Sequence, residues 1–138
     1  MVWQKSFQLG KRGKGCHLIT DEVLMHIQAG LSPVKAGMLF LFITHTSAAI
    51  TLNENFDPDV RKDMTMALDH VVPEDLRWIH TDEGPDDSVS HTKASLVGST
   101  VSIPITDGRL NLGTWQGIYL CEFRIPPYSR KLVATILA

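Results

Sequence analysis

The sequence predicts an α+β domain with mostly antiparallel strands, and three stretches carry that expectation. Residues 2–9 place Trp3, Phe7 and Leu9 on one parity and Gln4, Ser6 and Gln8 on the other, the pattern of a half-buried strand. Residues 101–105 and 109–112 flank Asp107-Gly108, a dipeptide whose tolerance of positive φ suits the type I′ turn of a hairpin. Val60, Met64, Ala67, Leu68 and Val71 recur at helical spacing behind Asp57-Pro58, an N-cap followed by proline at the first helical position, so a helix covers 58–71. Antiparallel strand runs with two or three helices set among them describe α+β and not an alternating parallel sheet.

The remaining elements follow in order. After the first strand, a turn at 11–15 and a strand at 16–19 predict a hairpin. Thr20 offers an N-cap, Asp21 and Glu22 suit a positive helix start, and a helix over 21–30 is stopped by Gly30 and Ser32-Pro33. The run 38–43 is apolar on both parities, which predicts a strand covered on both faces, central in its sheet or at a subunit contact. A strand at 48–52 precedes the second helix, which Pro73 ends. The polar loop that follows, over 79–87, is a lid or a surface excursion, and 88–97 forms a short helix. A long strand over 114–124 is broken by Pro126-Pro127, and 131–137 closes the sheet.

Composition narrows the function classes. The chain has 138 residues, 43% of them hydrophobic and 20% charged, which suits one domain spanning 1–138. Its formal net charge of -2, with no basic stripe, speaks against nucleic-acid and membrane-surface partners. Cys16 and Cys121 have no second cysteine at metal or redox spacing and read as buried free thiols. No signal-peptide pattern is visible at Met1-Val2-Trp3, and no apolar run approaches the roughly 18 residues of a membrane span, so a soluble, cytoplasmic protein is expected.

The common nucleotide-binding, zinc-protease and serine-hydrolase motifs are missing, so any chemistry must come from a constellation assembled by the fold. His45 ends an apolar strand among the hydroxyls of Thr44, Thr46 and Ser47, where it can act as acid, base or metal ligand. Ser47 shares its parity. Asp57, Asp59 and Asp63 lie at or near one helix face and can hold magnesium or simply face solvent. His80 and His91 have no tight metal spacing, and Lys93 is a point charge for a phosphate. Glu122, in apolar company, is paired or functional, and it lies roughly 20 Å of strand away from Gln116.

The segments HTSAAITLNEN (45–55) with DPDV (57–60), HTKASLVG (91–98) and LGTWQGIYLCEF (112–123) together resemble the YjbQ-like family, also called the secondary thiamine-phosphate synthase enzyme family. The likeness covers essentially the whole chain. It implies two packed sheets with helices, a homotrimer around a threefold axis, and pockets near subunit contacts. It also implies that His45, Ser47, Asn53, Glu54, Asp57, Asp63, His80, His91, Lys93, Gln116 and Glu122 fill the family's polar positions. The activity attached to the family joins a pyrimidine diphosphate to a thiazole phosphate, releasing pyrophosphate, so a small phosphorylated metabolite is the implied partner. On this basis His45, His91, Lys93, Asp63 and Glu122 are assigned to catalysis, and Ser47, Asn53, Glu54, Asp57, Trp115 and Gln116 to substrate. A divalent ion, magnesium or zinc, would be held by His45, His80 and His91. The alternatives are a non-catalytic anion or metabolite binder and a metal-dependent hydrolase. Thr92 and the tail 124–130 depart from the family pattern, and neither is expected to touch the pocket chemistry.

Overall fold

The computed structural model describes residues 1–138. Its strands are β1 (Val2–Gln8), β2 (Gly15–Leu18), β3 (Ala36–Ile43), β4 (Ala48–Glu54), β5 (Thr100–Thr106), β6 (Arg109–Leu110), β7 (Gln116–Glu122) and β8 (Lys131–Leu137), with helices α1 (Thr20–Leu31), α2 (Pro58–Val71) and α3 (Asp87–Val97). The α+β expectation holds, and the strands form two antiparallel sheets, ordered β1-β8-β3-β5-β6 and β2-β7-β4.

Alternation decides the layers. On the five-stranded sheet Leu39, Leu41, Ile43, Ile103, Ile105, Leu132, Ala134 and Ile136 all turn inward, and Val23, Ile27 and Leu31 of α1 meet them together with Ile50, Ile118 and Leu120 of the smaller sheet. The other face of the smaller sheet presents Cys16, Ala49, Tyr119, Cys121 and Phe123 to Met64 and Leu68 of α2 and to Ala94 and Val97 of α3. The order is therefore large sheet, then α1 with small sheet, then α2 and α3.

Three expectations are corrected here. β1 and β2 do not form a hairpin: β1 pairs with β8 and β2 with β7, so the turn between them carries the chain from one sheet to the other. The strand covered on both faces is β7, where Ile118 and Leu120 enter one core and Tyr119 and Cys121 the other. β3 is central in its sheet, but its outer face is open, with Phe40 38% and Phe42 46% exposed. Thr20 is not the N-cap of α1; it is the first helical residue, and its Oγ1 accepts the Ile118 N–H at 2.9 Å.

Local signals elsewhere act as read. Asp57 caps α2 by accepting the Asp59 N–H at 2.9 Å. Asp107 and Gly108 take φ of 49° and 75°, the two positive values a type I′ turn demands. α1 continues through Gly30 to Leu31, because Gly30 is where the Trp3 ring of β1 presses on the helix. A Cβ at Gly30 would lie 2.3 Å from that ring. Gly30→Ala should therefore lose stability despite a helix-propensity gain of up to about 1 kcal/mol, since overpacking costs about 1–3 kcal/mol. A urea midpoint higher than that of the parent would refute this.

Candidate active site

β3 and β4 belong to different sheets, so residues 44–47 must cross between them, and the crossing exposes His45. α3 lies alongside. The two sequence stretches expected to meet do so in a groove of about 670 Å³ lined by Phe42, Thr44, His45, His91, Ser95 and Ser99, among others. The tie between them is specific: His91 Nδ1 lies 2.7 Å from the Thr46 carbonyl, which can only accept, so the N–H sits on Nδ1.

The other ring nitrogen of His91, Nε2, is turned toward Asp87. Asp87 and His91 are one turn apart on α3 and share a face. Asp87 Oδ2 is 3.2 Å from His91 Nε2 and 2.7 Å from Nε2 of His80, which reaches in from the preceding loop. The three ligand atoms lie within 4.8 Å of one another. Asp87 is buried, while His80 and His91 are more open, so the cluster has a closed base and a free outer side. Burial pushes the Asp87 carboxyl up, but the His80 hydrogen bond and the nearby charges of His91 and Arg124 outweigh it and hold the group below its ordinary value.

Arg124 sets that base. Its Nη1 donates to Asp87 Oδ1 at 2.8 Å, its Nε to Asp86 Oδ2 at 3.0 Å, and its Nη2 to the Glu83 carbonyl at 3.0 Å. The loop 79–87 is thus anchored from beneath. The expectation that the 124–130 tail stands apart from the site is corrected: Arg124 orients the carboxylate on which both histidines converge.

The second arginine of the tail organises His45. Arg130 donates through Nε and Nη2 to the two oxygens of Glu122 at 2.6 and 2.7 Å, and through Nη2 to Ser47 Oγ at 2.8 Å. His45 Nε2 accepts the Lys131 N–H at 2.8 Å, and its Nδ1 faces Arg130 Nη1 at 3.4 Å. Burial, and then the charge of Arg130, pull the His45 pKa below its ordinary value, so the ring is held neutral. Both its nitrogens face N–H donors, which leaves neither open to a metal. Of the expected trio, His80 and His91 come together and His45 does not join them; the third ligand atom that converges on the two is a carboxylate oxygen of Asp87.

A family model described as UPF0047 protein YjbQ-like matches residues 5–138. The chain belongs to the YjbQ-like family. It is 46% identical over 136 residues to the UPF0047 protein YjbQ of Salmonella typhimurium, covering 99% of this chain and 98% of that one. To YugU of Bacillus subtilis it is 43% identical over 108 residues, 78% and 79% of the two chains. Among solved structures, a protein of unknown function from Sulfolobus solfataricus superposes with a TM-score of 0.87 at 25% identity, covering 100% of this chain and 98% of that one. A YjbQ/UPF0047 protein from Clostridium acetobutylicum does so with a TM-score of 0.80 at 38% identity, covering 98% and 99%.

The other polar positions implied by the YjbQ-like resemblance are dispersed. Lys93 is two residues beyond His91 on a helix and so points the opposite way; it is buried, pairs with Asp69, and lies 5.7 Å from the centre of the Phe123 ring. The shared phosphate pocket for His91 and Lys93 is therefore corrected. Glu54 accepts the Asp57 N–H at 3.0 Å, and Asn53 holds its neighbour's N–H at 2.8 Å and faces the Met64 sulfur. Gln116 Oε1 accepts the Gly113 N–H at 2.8 Å. Trp115 stacks edge-on with Phe56, ring centres 5.7 Å apart, both exposed. Asp63 is exposed on α2. Asn53, Glu54, Trp115 and Gln116 cluster around the far end of β4 and β7, and neither they nor Lys93 and Asp63 line the His45–His91 groove.

Proposed function

We propose that this YjbQ-like protein is a metal-dependent enzyme acting on a small phosphorylated metabolite, with one divalent ion held by His80, Asp87 and His91 beside the His45–His91 groove. The observation that carries this reading is the convergence of two imidazole nitrogens on one buried carboxylate oxygen, at 2.7 and 3.2 Å, with the Thr46 carbonyl fixing the tautomer of His91. A ligand histidine is ordinarily oriented in this way, through its other nitrogen. The three ligand atoms lie within 4.8 Å of one another, close enough for small side-chain adjustments to bring them to the edges of about 3.3 Å that bonds of about 2.0 Å require around one tetrahedral ion. Two nitrogens and one oxygen favour zinc or a similar transition ion over magnesium, which prefers an all-oxygen shell. When bound, such an ion polarises a phosphoryl or carbonyl oxygen and lowers the pKa of its water.

The chain's own residues supply the rest. The hydroxyls of Thr44, Ser95 and Ser99 offer hydrogen bonds along the groove, and the neutral ring of His45 lines it beside them. Thiamine-phosphate synthase chemistry is the finer form of this proposal. With Lys93 turned away, the departing pyrophosphate would rest on the ion and these hydroxyls. A cytoplasmic homotrimer is part of the same reading, supported by the open apolar face around Phe40 and Phe42; Phe42 also lines the groove, so a neighbouring copy would narrow its mouth. No helix is long and apolar enough to cross a membrane.

Native mass spectrometry with elemental analysis tests the proposal. One transition ion per chain in a trimer is expected, lost in Asp87→Ala and retained in Lys93→Ala. Equal metal content in the parent and Asp87→Ala would overturn the site, and turnover unaffected by complete metal removal would overturn the chemistry.

A further inference from the structure

Away from the groove, β2 and β7 set Cys16 directly opposite Cys121, with their sulfurs 3.8 Å apart. Cys16 is 8% exposed and lines an open cleft of about 440 Å³ between β2 and α2 that also presents Lys14, Arg61 and Lys62 against a single carboxylate, Asp69, which pairs with Lys14. The Thr65 hydroxyl points at its sulfur from 3.7 Å. Cys121 is fully buried beside it, among Ala49, Tyr119 and Phe123. One thiol thus faces a cationic cleft, and a second stands in reserve. We propose that Cys16 and Cys121 form a reversible redox pair, with Cys16 as the thiol that reacts with hydroperoxide and Cys121 as the resolving thiol that closes a cross-strand disulfide.

The electrostatics agree with this division. The facing Cys121 thiol favours ionisation of Cys16, burial opposes it, Thr65 and Lys93 favour it further and the Asp69 charge opposes it, with the Cys16 pKa brought down to about 7 on balance. Cys121 is shifted the other way, by Cys16 and by its own burial, and keeps its proton. A thiolate is the reactive form, and a cationic, partly open setting marks reactive cysteines.

The chemistry balances. The Cys16 thiolate attacks a peroxide oxygen, the O–O bond breaks, and with one proton an alcohol or water leaves, giving a sulfenic acid. The Cys121 sulfur then attacks the sulfenic sulfur, an S–S bond forms, the S–O bond breaks, and water departs with the thiol proton. In sum, two thiols and one hydroperoxide give a disulfide, an alcohol or water, and one further water. An external dithiol reverses it. Directly opposed strand residues already lie about 4.5–5.5 Å apart at Cα, inside the range a disulfide spans, so side-chain rotation suffices.

Intact-mass measurement of the purified protein before and after hydrogen peroxide reads this directly. The parent is expected to lose two hydrogen masses and both titratable thiols, and dithiothreitol should restore them. Cys121→Ser, which keeps a hydrogen-bond donor beside Cys16, should stop at the sulfenic acid, captured as one dimedone adduct per chain, and Cys16→Ser should give no adduct. A parent that keeps both thiols, or that forms only disulfides between chains, would overturn the proposal without recourse to any variant. Oxidation of Cys121 in folded Cys16→Ser at the parent rate would overturn the order of attack.

Discussion

Arg130→Met should unfold at a much lower urea concentration than the parent, with a loss of about 3–5 kcal/mol. Arg130 and Glu122 are both buried, joined by two hydrogen bonds of 2.6 and 2.7 Å, and Arg130 also serves Ser47. Removing the cation leaves a buried carboxylate with one remaining hydrogen-bond donor, the Arg124 N–H at 3.1 Å. The energetic penalty is the stranded charge more than the lost pair. Replacing both partners, as in Arg130→Met with Glu122→Leu, should therefore recover most of the stability. If the double variant is as unstable as the single one, the pair is not the source. His45 should respond as well, because Arg130 is one of the two groups that keep it neutral.

Arg124→Lys should weaken metal binding by about 10–100-fold, the usual effect of removing a group that orients a ligand. A lysine keeps the charge but not the fork that holds Asp86, Asp87 and the Glu83 carbonyl together. Competition against a chelator would measure it, and an unchanged affinity would separate Arg124 from the site. The same substitution should alter the acid limb of stability. For both Asp86 and Asp87 burial raises the pKa, yet their hydrogen bonds and charged neighbours prevail and leave it below the ordinary 3.8. Depressed carboxyl pKa values give stability that is present above 3.8 and lost as pH falls through the lower folded-state values. The variant should lose less over that window, since it has less to lose.

Elements with strong local signals were legible in the sequence. Helix α2 announces itself through Asp57-Pro58 and its apolar spacing, and the β5–β6 turn through Asp107-Gly108. Strand partners were not, because nothing local in β1 or β2 points to β8 or β7. At the site, His45 was singled out by the hydroxyls beside it and Glu122 by its apolar company, whereas His91 was assigned through the family resemblance. Asp87 was missed because the helix was expected to begin at 88; one residue earlier, the spacing of Asp87 and His91 becomes one helical turn. The same helix explains the misplacement of Lys93, whose separation of two residues from His91 means adjacency on an extended chain and opposition on a helix. Arg124 and Arg130 look like a polar tail because a sequence does not say which charges will be buried. Only the folded arrangement of Asp86, Asp87 and Glu122 shows what they answer.

β8 lies between β1 and β3, although it follows every other strand in the chain. Until the ribosome has released it, β1 has no partner in the sheet and β3 presents one bare edge beside its open apolar face. The large sheet cannot close before β8 is available to pair with both of its neighbours, so an interior strand completes it.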